Sequence, residues 1–273
     1  MGTEPADFAT SWRSIDGQPG DPDYFVKFMD KMNGLGFFQQ LKHRCIDLLE
    51  VEKGDRVIDV GCGAGDEARV LARIVGASGR VVGIDASDVM LKEARKRTSG
   101  PNLAIEYRHG DAHALQLTDA SFDRCCSFGL LEVADDPKKV LAEMVRVTRS
   151  GGRIATPVFD LDTMMIDSSF RNVTRRLTHN YCDSCNGWLG RQLPAIMREL
   201  GVAELVITPM TLITTDYSIL QELWLPPMIE DARRSGAASP AEIDDWLADL
   251  EARDRKGCFF WTATAVIVAG RKV

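Results

Sequence analysis

The chain has 273 residues, 45% hydrophobic and 27% charged, and its 33 Lys+Arg against 40 Asp+Glu leave a net charge of −7. That composition suits one globular domain of generous size with a real core, and it excludes disordered, collagen-like and coiled-coil classes. A mildly acidic chain lacks the clustered cations that grip phosphate, so neither nucleic acid nor an anionic membrane is an expected partner.

Residues 1–12 show neither the cationic start nor the apolar run of a secretory leader, and Ala6 stands where a myristoylation motif needs Ser or Thr. The most apolar stretch, 258–270, falls short of the roughly 20 residues of a membrane-spanning helix. A cytoplasmic location is expected. The seven Cys, odd in number and set within predicted strands and helices, read as reduced thiols.

From Arg56 onward, short β-branched runs alternate with helical patterns, the order that winds helices around a parallel sheet. Strands are predicted at 56–61, 80–85, 103–108, 122–128 and 153–158, with helices at 66–75, 88–98 and 138–147 between them. A helix at 190–200 and strands at 205–208 and 258–269 follow, the last two pairing antiparallel or mixed beside the parallel ones. Three segments fall outside this core, 24–50, 160–187 and 211–257, and each reads as helical. Ser239-Pro240-Ala241-Glu242 marks one helix start, with Ser at the cap and Pro at the first helical position. Ligands of open α/β sheets sit beyond the carboxyl ends of the strands, where such inserts form a lid. The organisation is therefore an arm or lid at 1–50 and a main domain at 51–273 with lid inserts near 160–187 and 211–257.

The strongest local signal is the run from Val57 to Ala68, a buried strand entering the turn Gly61-Cys62-Gly63-Ala64-Gly65 and then a helix. Glycines permit unusual φ and let a flat ligand approach the backbone. Gly63 to Ala68 formally matches a dinucleotide pattern, G-x-G-x-x-A. Yet the first helical turn, where a pyrophosphate would rest, carries Asp66 and Glu67. A ligand with an ammonium group and no phosphate suits that field, and S-adenosylmethionine is such a ligand. Asp85 ends the second strand about 20 residues past the turn, as a ribose contact requires, and Gly110-Asp111-Ala112 follows the third strand.

Over about 42–158 these residues, with Phe122-Asp123, resemble the class I S-adenosylmethionine-dependent methyltransferases, and within them the ubiquinone/menaquinone-biosynthesis-like small-molecule group. The resemblance implies a Rossmann-like, seven-stranded, mostly parallel doubly wound sheet. It implies Asp59, Gly61, Gly63 and Gly65 around the methionyl moiety, Asp85 on the ribose, and Asp111 with Ala112 at the adenine. Cys62, Ala86, Met90 and Ser127 join the cofactor-binding set, and Phe128, an aromatic after the fourth strand, reads as a contact for adenine or sulfonium in the crevice or as plain core packing.

Relatives of this group often place a His after the fourth strand, where this chain has Val133. Glu132 beside it reads as a substitute base or as a capping group near Asp136-Pro137, and His179 in the lid as a base or a solvated ring. The lid segments are rich in large apolar side chains, which favours a lipophilic or aromatic acceptor. Tyr24 is the expected contact to donor or acceptor, with Phe25, Trp188, Arg191 and Tyr217 on the acceptor; Arg191 reads an acidic group there or forms a surface ion pair. The C-x-x-C of Cys182 and Cys185, with His179 upstream, supplies at most three ligands to a metal, so no metal site is expected.

The run Ser127-Phe128-Gly129-Leu130 differs from the Asn/Asp-Pro-Pro-aromatic motif of nucleic-acid amino-methyltransferases, and one Glu does not make the paired glutamates of protein arginine methyltransferases. The function expected is methyl transfer to an O, N or activated C atom of a small metabolite, in secondary metabolism. An NAD-dependent oxidoreductase and a non-catalytic S-adenosylmethionine-binding protein are the alternatives. Helical arms of this kind also pack between subunits, which admits a homo-oligomer.

Overall fold

The computed structural model describes residues 8–17, 23–98 and 103–273; the readings made on 1–7, Ala6 among them, lie outside the described residues. Seven strands form one sheet: β1 (Arg56–Val60), β2 (Arg80–Asp85), β3 (Ile105–His109), β4 (Phe122–Cys126), β5 (Thr148–Ile166), β6 (Val202–Thr214) and β7 (Trp261–Lys272). Their order is β3-β2-β1-β4-β5-β7-β6. The first five pair in parallel and β7 runs antiparallel to both β5 and β6, which is the mostly parallel doubly wound sheet expected. In β1, Val57, Ile58 and Val60 are all fully buried, as in a strand covered on both faces, and Asp59 between them is buried as well.

The helices are α1 (Phe8–Arg13), α2 (Tyr24–Gly34), α3 (Gly36–Leu49), α4 (Asp66–Val75), α5 (Asp88–Thr98), α6 (Pro137–Val147), α7 (Arg171–Asp183), α8 (Leu189–Glu199), α9 (Tyr217–Leu223), α10 (Leu225–Ser235) and α11 (Pro240–Arg255). None of the described helices is long and apolar enough to cross a membrane. The cap at Ser239 is complete. Its hydroxyl accepts from the Glu242 amide at 3.3 Å, and the Glu242 carboxylate accepts from the Ser239 amide at 2.9 Å. Of the two large cores, one unites α3, α4 and the lid helices on one face of the sheet, and the other packs α6 and α8 on the opposite face.

The structure departs from the sequence reading in the antiparallel half. β5 runs 19 residues and β6 runs 13, so 160–166 and 211–214, expected within helical lid segments, are strand. The cause is long-range pairing. β7 holds β5 from Arg153 to Asp160 and, past a register shift, again at Met165 and Ile166, and it holds β6 as far as Thr214. β4 ends at Cys126, which leaves Ser127 and Phe128 in the turn beyond it.

Candidate active site

The glycine turn leaves β1 with Gly61, Gly63 and Gly65 at φ of 74°, 50° and 77°, a left-handed conformation that side-chain-bearing residues rarely adopt. Amides of Gly61 and Cys62 both donate to the Ile84 carbonyl, at 2.8 and 2.9 Å, tying the turn to the end of β2. There Asp85 accepts from the Gly63 amide at 2.8 Å and from the Ser87 amide at 2.9 Å. Burial pushes the Asp85 carboxyl up, against the pull of those two amides. The Gly110 amide donates to the Asp85 carbonyl at 3.0 Å, which brings the 110–112 turn to the same strand end. Asp111 in that turn accepts from the His113 amide at 2.8 Å, a bond that helps hold its carboxyl below the usual range. Cys62 is buried, Ala86 is exposed, and Met90 is buried in the first turn of α5.

Under the turn lies an acidic cluster with few counter-charges. Asp59 is 1% exposed and Glu67 6% exposed. Burial first, and the Glu67 charge second, push Asp59 well up, while Lys42 opposes them. One Asp59 oxygen, Oδ2, is buried with no hydrogen-bond partner among the described residues, as is the Ser127 hydroxyl. Lys42, from α3, pairs with Glu67 and donates to the Asn33 side chain, whose amide donates to Asp66 at 2.8 Å.

Sequence reasoning missed Asp16, Asn33 and Lys42. Asp16 crosses 71 positions to accept from the Ser87 hydroxyl at 2.6 Å, and it accepts the Asp88 and Val89 amides at 2.7 and 3.3 Å. It thus caps α5 from outside and pins the N-terminal arm beside Asp85. Burial would raise its carboxyl, but the bonds from Ser87, Asp88 and Val89 outweigh that and hold it below the usual range. No periodicity or motif betrays such a pairing; only the fold brings the two segments together.

Beside the turn opens a chamber of about 130 Å³ between α2, α3, the turn after β4, β5 and the lid. Phe28, Met32, Phe38, Phe128, Phe159 and Trp224 give it an apolar wall, and Lys42 and Asn33 join it to the acidic cluster. Glu132 faces this space. Its Oε1 accepts from the Phe159 amide at 3.0 Å, and its Oε2 is buried with no partner among the described residues. Burial pushes the Glu132 carboxyl up to about 7. Val133 also lines the chamber.

The remaining predicted contacts stand apart from the chamber wall. Tyr24 is 52% exposed. Its ring meets Phe25 edge-on at 5.2 Å, and Phe25 is spent on packing the arm, 4.9 Å from Trp12. Tyr217 is buried against Phe259, centroids 5.2 Å apart. Arg191 turns to a protein acid instead of an acceptor: Nε reaches buried Asp160 at 2.7 Å and the guanidinium covers the exposed Trp188 ring at 4.0 Å. His179 is exposed at 3.7 Å from Asp162. Cys182 is buried and Cys185 lines the chamber; among the described residues no cluster of three or more His, Cys, Asp or Glu could hold a metal ion.

Residues 58–156 match the family model of a methyltransferase domain. An uncharacterized 37.1 kDa protein in transposon TN4556 of Streptomyces fradiae is 34% identical over 250 residues, covering 90% of this chain and 71% of that protein. The 2-phytyl-1,4-naphtoquinone methyltransferase of Synechococcus elongatus is 35% identical over 139 residues, 49% of this chain and 59% of the relative, so the match spans little more than half of that enzyme. In fold, the YcgJ protein of Bacillus subtilis superposes with a TM-score of 0.59 at 19% identity, over 86% of this chain and 98% of that one.

Proposed function

We infer the reaction from one premise: the chain belongs to the class I S-adenosylmethionine-dependent methyltransferases, which act here on a small molecule. We propose that the acceptor is lipophilic or aromatic, that it lies in the chamber against Phe128 and Trp224, and that Glu132 takes its proton. The observation that carries this reading is the apolar chamber with Glu132 on its wall, one of whose oxygens is buried with no partner among the described residues.

The residues of the glycine turn suit the donor. The left-handed glycines leave the backbone open to close approach, the free Asp59 oxygen and the acids around it favour a cationic ligand, and the same acids disfavour a pyrophosphate. Asp59 and the 61–65 turn would hold the methionyl end, Asp85 the ribose, and Asp111 with Ala112 the adenine. Bound there, S-adenosylmethionine supplies a methyl group already activated on a sulfonium centre. The protein's remaining tasks are to orient the acceptor, exclude water and remove a proton. An apolar wall does the first two, and a carboxyl that titrates near neutrality does the third. Walls contributed by α2, α3 and the lid helices support reading the described part of 1–50, with 167–187 and 215–257, as a lid over the acceptor. The free thiols support a reducing, cytoplasmic setting, and the lipophilic chamber supports a role in secondary metabolism.

The test is a panel of small phenols, amines, sugars and phosphorylated compounds incubated with S-adenosylmethionine and read by the mass gain of one methyl group. The expected acceptors are apolar and carry an ionisable hydrogen, and Glu132→Gln loses turnover on them. Methylation confined to sugars or phosphorylated compounds overturns the reading.

A further inference from the structure

The run Cys182-Asp183-Ser184-Cys185 turns the chain at the end of α7, and the turn is heavily tied. The Cys185 thiol donates to the Tyr181 carbonyl at 3.5 Å, and the Ser184 hydroxyl bonds buried Asp231 of α10 at 2.5 Å. Gly187 closes it by donating to the Cys182 carbonyl at 3.2 Å, while its own carbonyl accepts from the Leu161 amide of β5 at 2.8 Å. Only glycine fits there, because a Cβ would lie 2.6 Å from the Cys182 carbonyl oxygen.

Asn186 sits inside this turn and spends every donor it has on one short segment. Its backbone amide donates to the Glu132 carbonyl at 2.8 Å. Its side-chain amide donates to the carbonyls of Leu131 and Ala134, both at 2.8 Å. Three bonds from one residue therefore fix the backbone at Glu132 and on either side of it. Aspartate would set its oxygens against two carbonyls, and an apolar residue would leave those carbonyls unpaired.

We propose that Asn186 is the positioning residue for Glu132, locking the 131–134 turn so that the carboxyl stays against the Phe159 amide with its free oxygen turned into the chamber. This rests on the reading of Glu132 as the proton acceptor. The CxxC turn thereby gains a role: it couples lid helix α7 to the group that does the chemistry. The other titratable groups on the chamber wall are Tyr181 and Cys185, from α7 and its turn, and Lys42 from α3. Released from Asn186, the turn would let the carboxyl swing toward water, and the effect of burial would fade.

Infrared spectroscopy of the full chain tests this, since subtracting the Glu132→Gln spectrum isolates the Glu132 carboxyl band across a pH titration. Wild type is expected to titrate near 7. Asn186→Ala and Asn186→Asp are expected to bring the midpoint down by about one unit or more, with the calorimetric Kd for S-adenosylmethionine within about twofold of wild type. Asn186→Ser, which keeps one donor, is expected to fall between and serves if the other two do not fold. An unmoved midpoint in a folded variant, even with a lowered Tm, overturns the proposal, as does a wild-type midpoint in the ordinary glutamate range. A distinct result, a moved midpoint in the Asn186 variants with full methyl transfer by Glu132→Gln, overturns the assigned base and leaves the positioning role standing.

Discussion

The glycine turn and the apolar chamber adjoin each other, sharing Asn33 and Lys42, yet they are built in opposite ways. The turn is made of backbone and acids supplied by consecutive strand ends, with Gly63 and Asp85 bonded at 2.8 Å across neighbouring strands. The chamber is made of side chains gathered from α2, α3, β5 and the lid, and among the described residues the Oε2 of Glu132 on its wall has no partner. A family can keep the first while rebuilding the second, because the first depends on short local spacings and the second on distant packing. Substitutions on the two sides should therefore separate donor binding from acceptor chemistry.

The largest separation is expected at Glu132→Gln, with turnover down roughly 100- to 10,000-fold, the usual worth of a general base. In wild type the rate should rise with pH through about 7 as the carboxyl loses its proton. Stability should run the other way. The folded group keeps a proton up to about 7 that the unfolded chain, titrating near 4.5, has already released, so stability falls as pH rises through that window. Urea unfolding from pH 5 to 8 should show that decline in wild type and a flatter profile in Glu132→Gln.

Next comes Trp224→Ala. Trp224 is buried, stacked on Phe38 at 6.0 Å and tilted against Trp261 at 4.7 Å, and its loss should cost about 3–5 kcal/mol in denaturant unfolding. If the variant remains folded it should bind S-adenosylmethionine normally and accept bulkier acceptors. The smallest effect is expected at Asp16→Ala, which removes the outside cap of α5 and should cost about 0.5–2 kcal/mol. It should also loosen the arm, read as faster amide exchange at Asp88 and Val89.

The sequence made the two regions unequally legible. β1 to β4 and the helices between them emerge from period and spacing, most clearly at β1 and β2, whose short buried apolar runs mark strands covered on both faces, whereas edge strand β3 is only half-buried. The glycine turn and Asp85 emerge with them, since their partnership is a matter of strand ends about 20 residues apart. β5 and β6 extend beyond their predicted ends because their outer halves are held by β7 across register shifts. Of the two fates the sequence leaves open for Arg191, an acceptor contact or an ion pair, the second is the one formed, with Asp160 as its partner. Asp16 left no trace at all, its partners lying 71 to 73 residues away. Glu132 was visible as a residue, but its burial and its support from Asn186 follow from a lid turn more than 50 positions downstream.

Calorimetric titration of S-adenosylmethionine into wild type, Asp85→Ala and Glu132→Gln, side by side, probes the division between the two regions most directly. Asp85→Ala should lose about 1.5–3 kcal/mol of binding, while Glu132→Gln should keep wild-type affinity. Equal losses in both variants, or undiminished binding by Asp85→Ala, would contradict the separation of a donor-binding turn from an acceptor chamber.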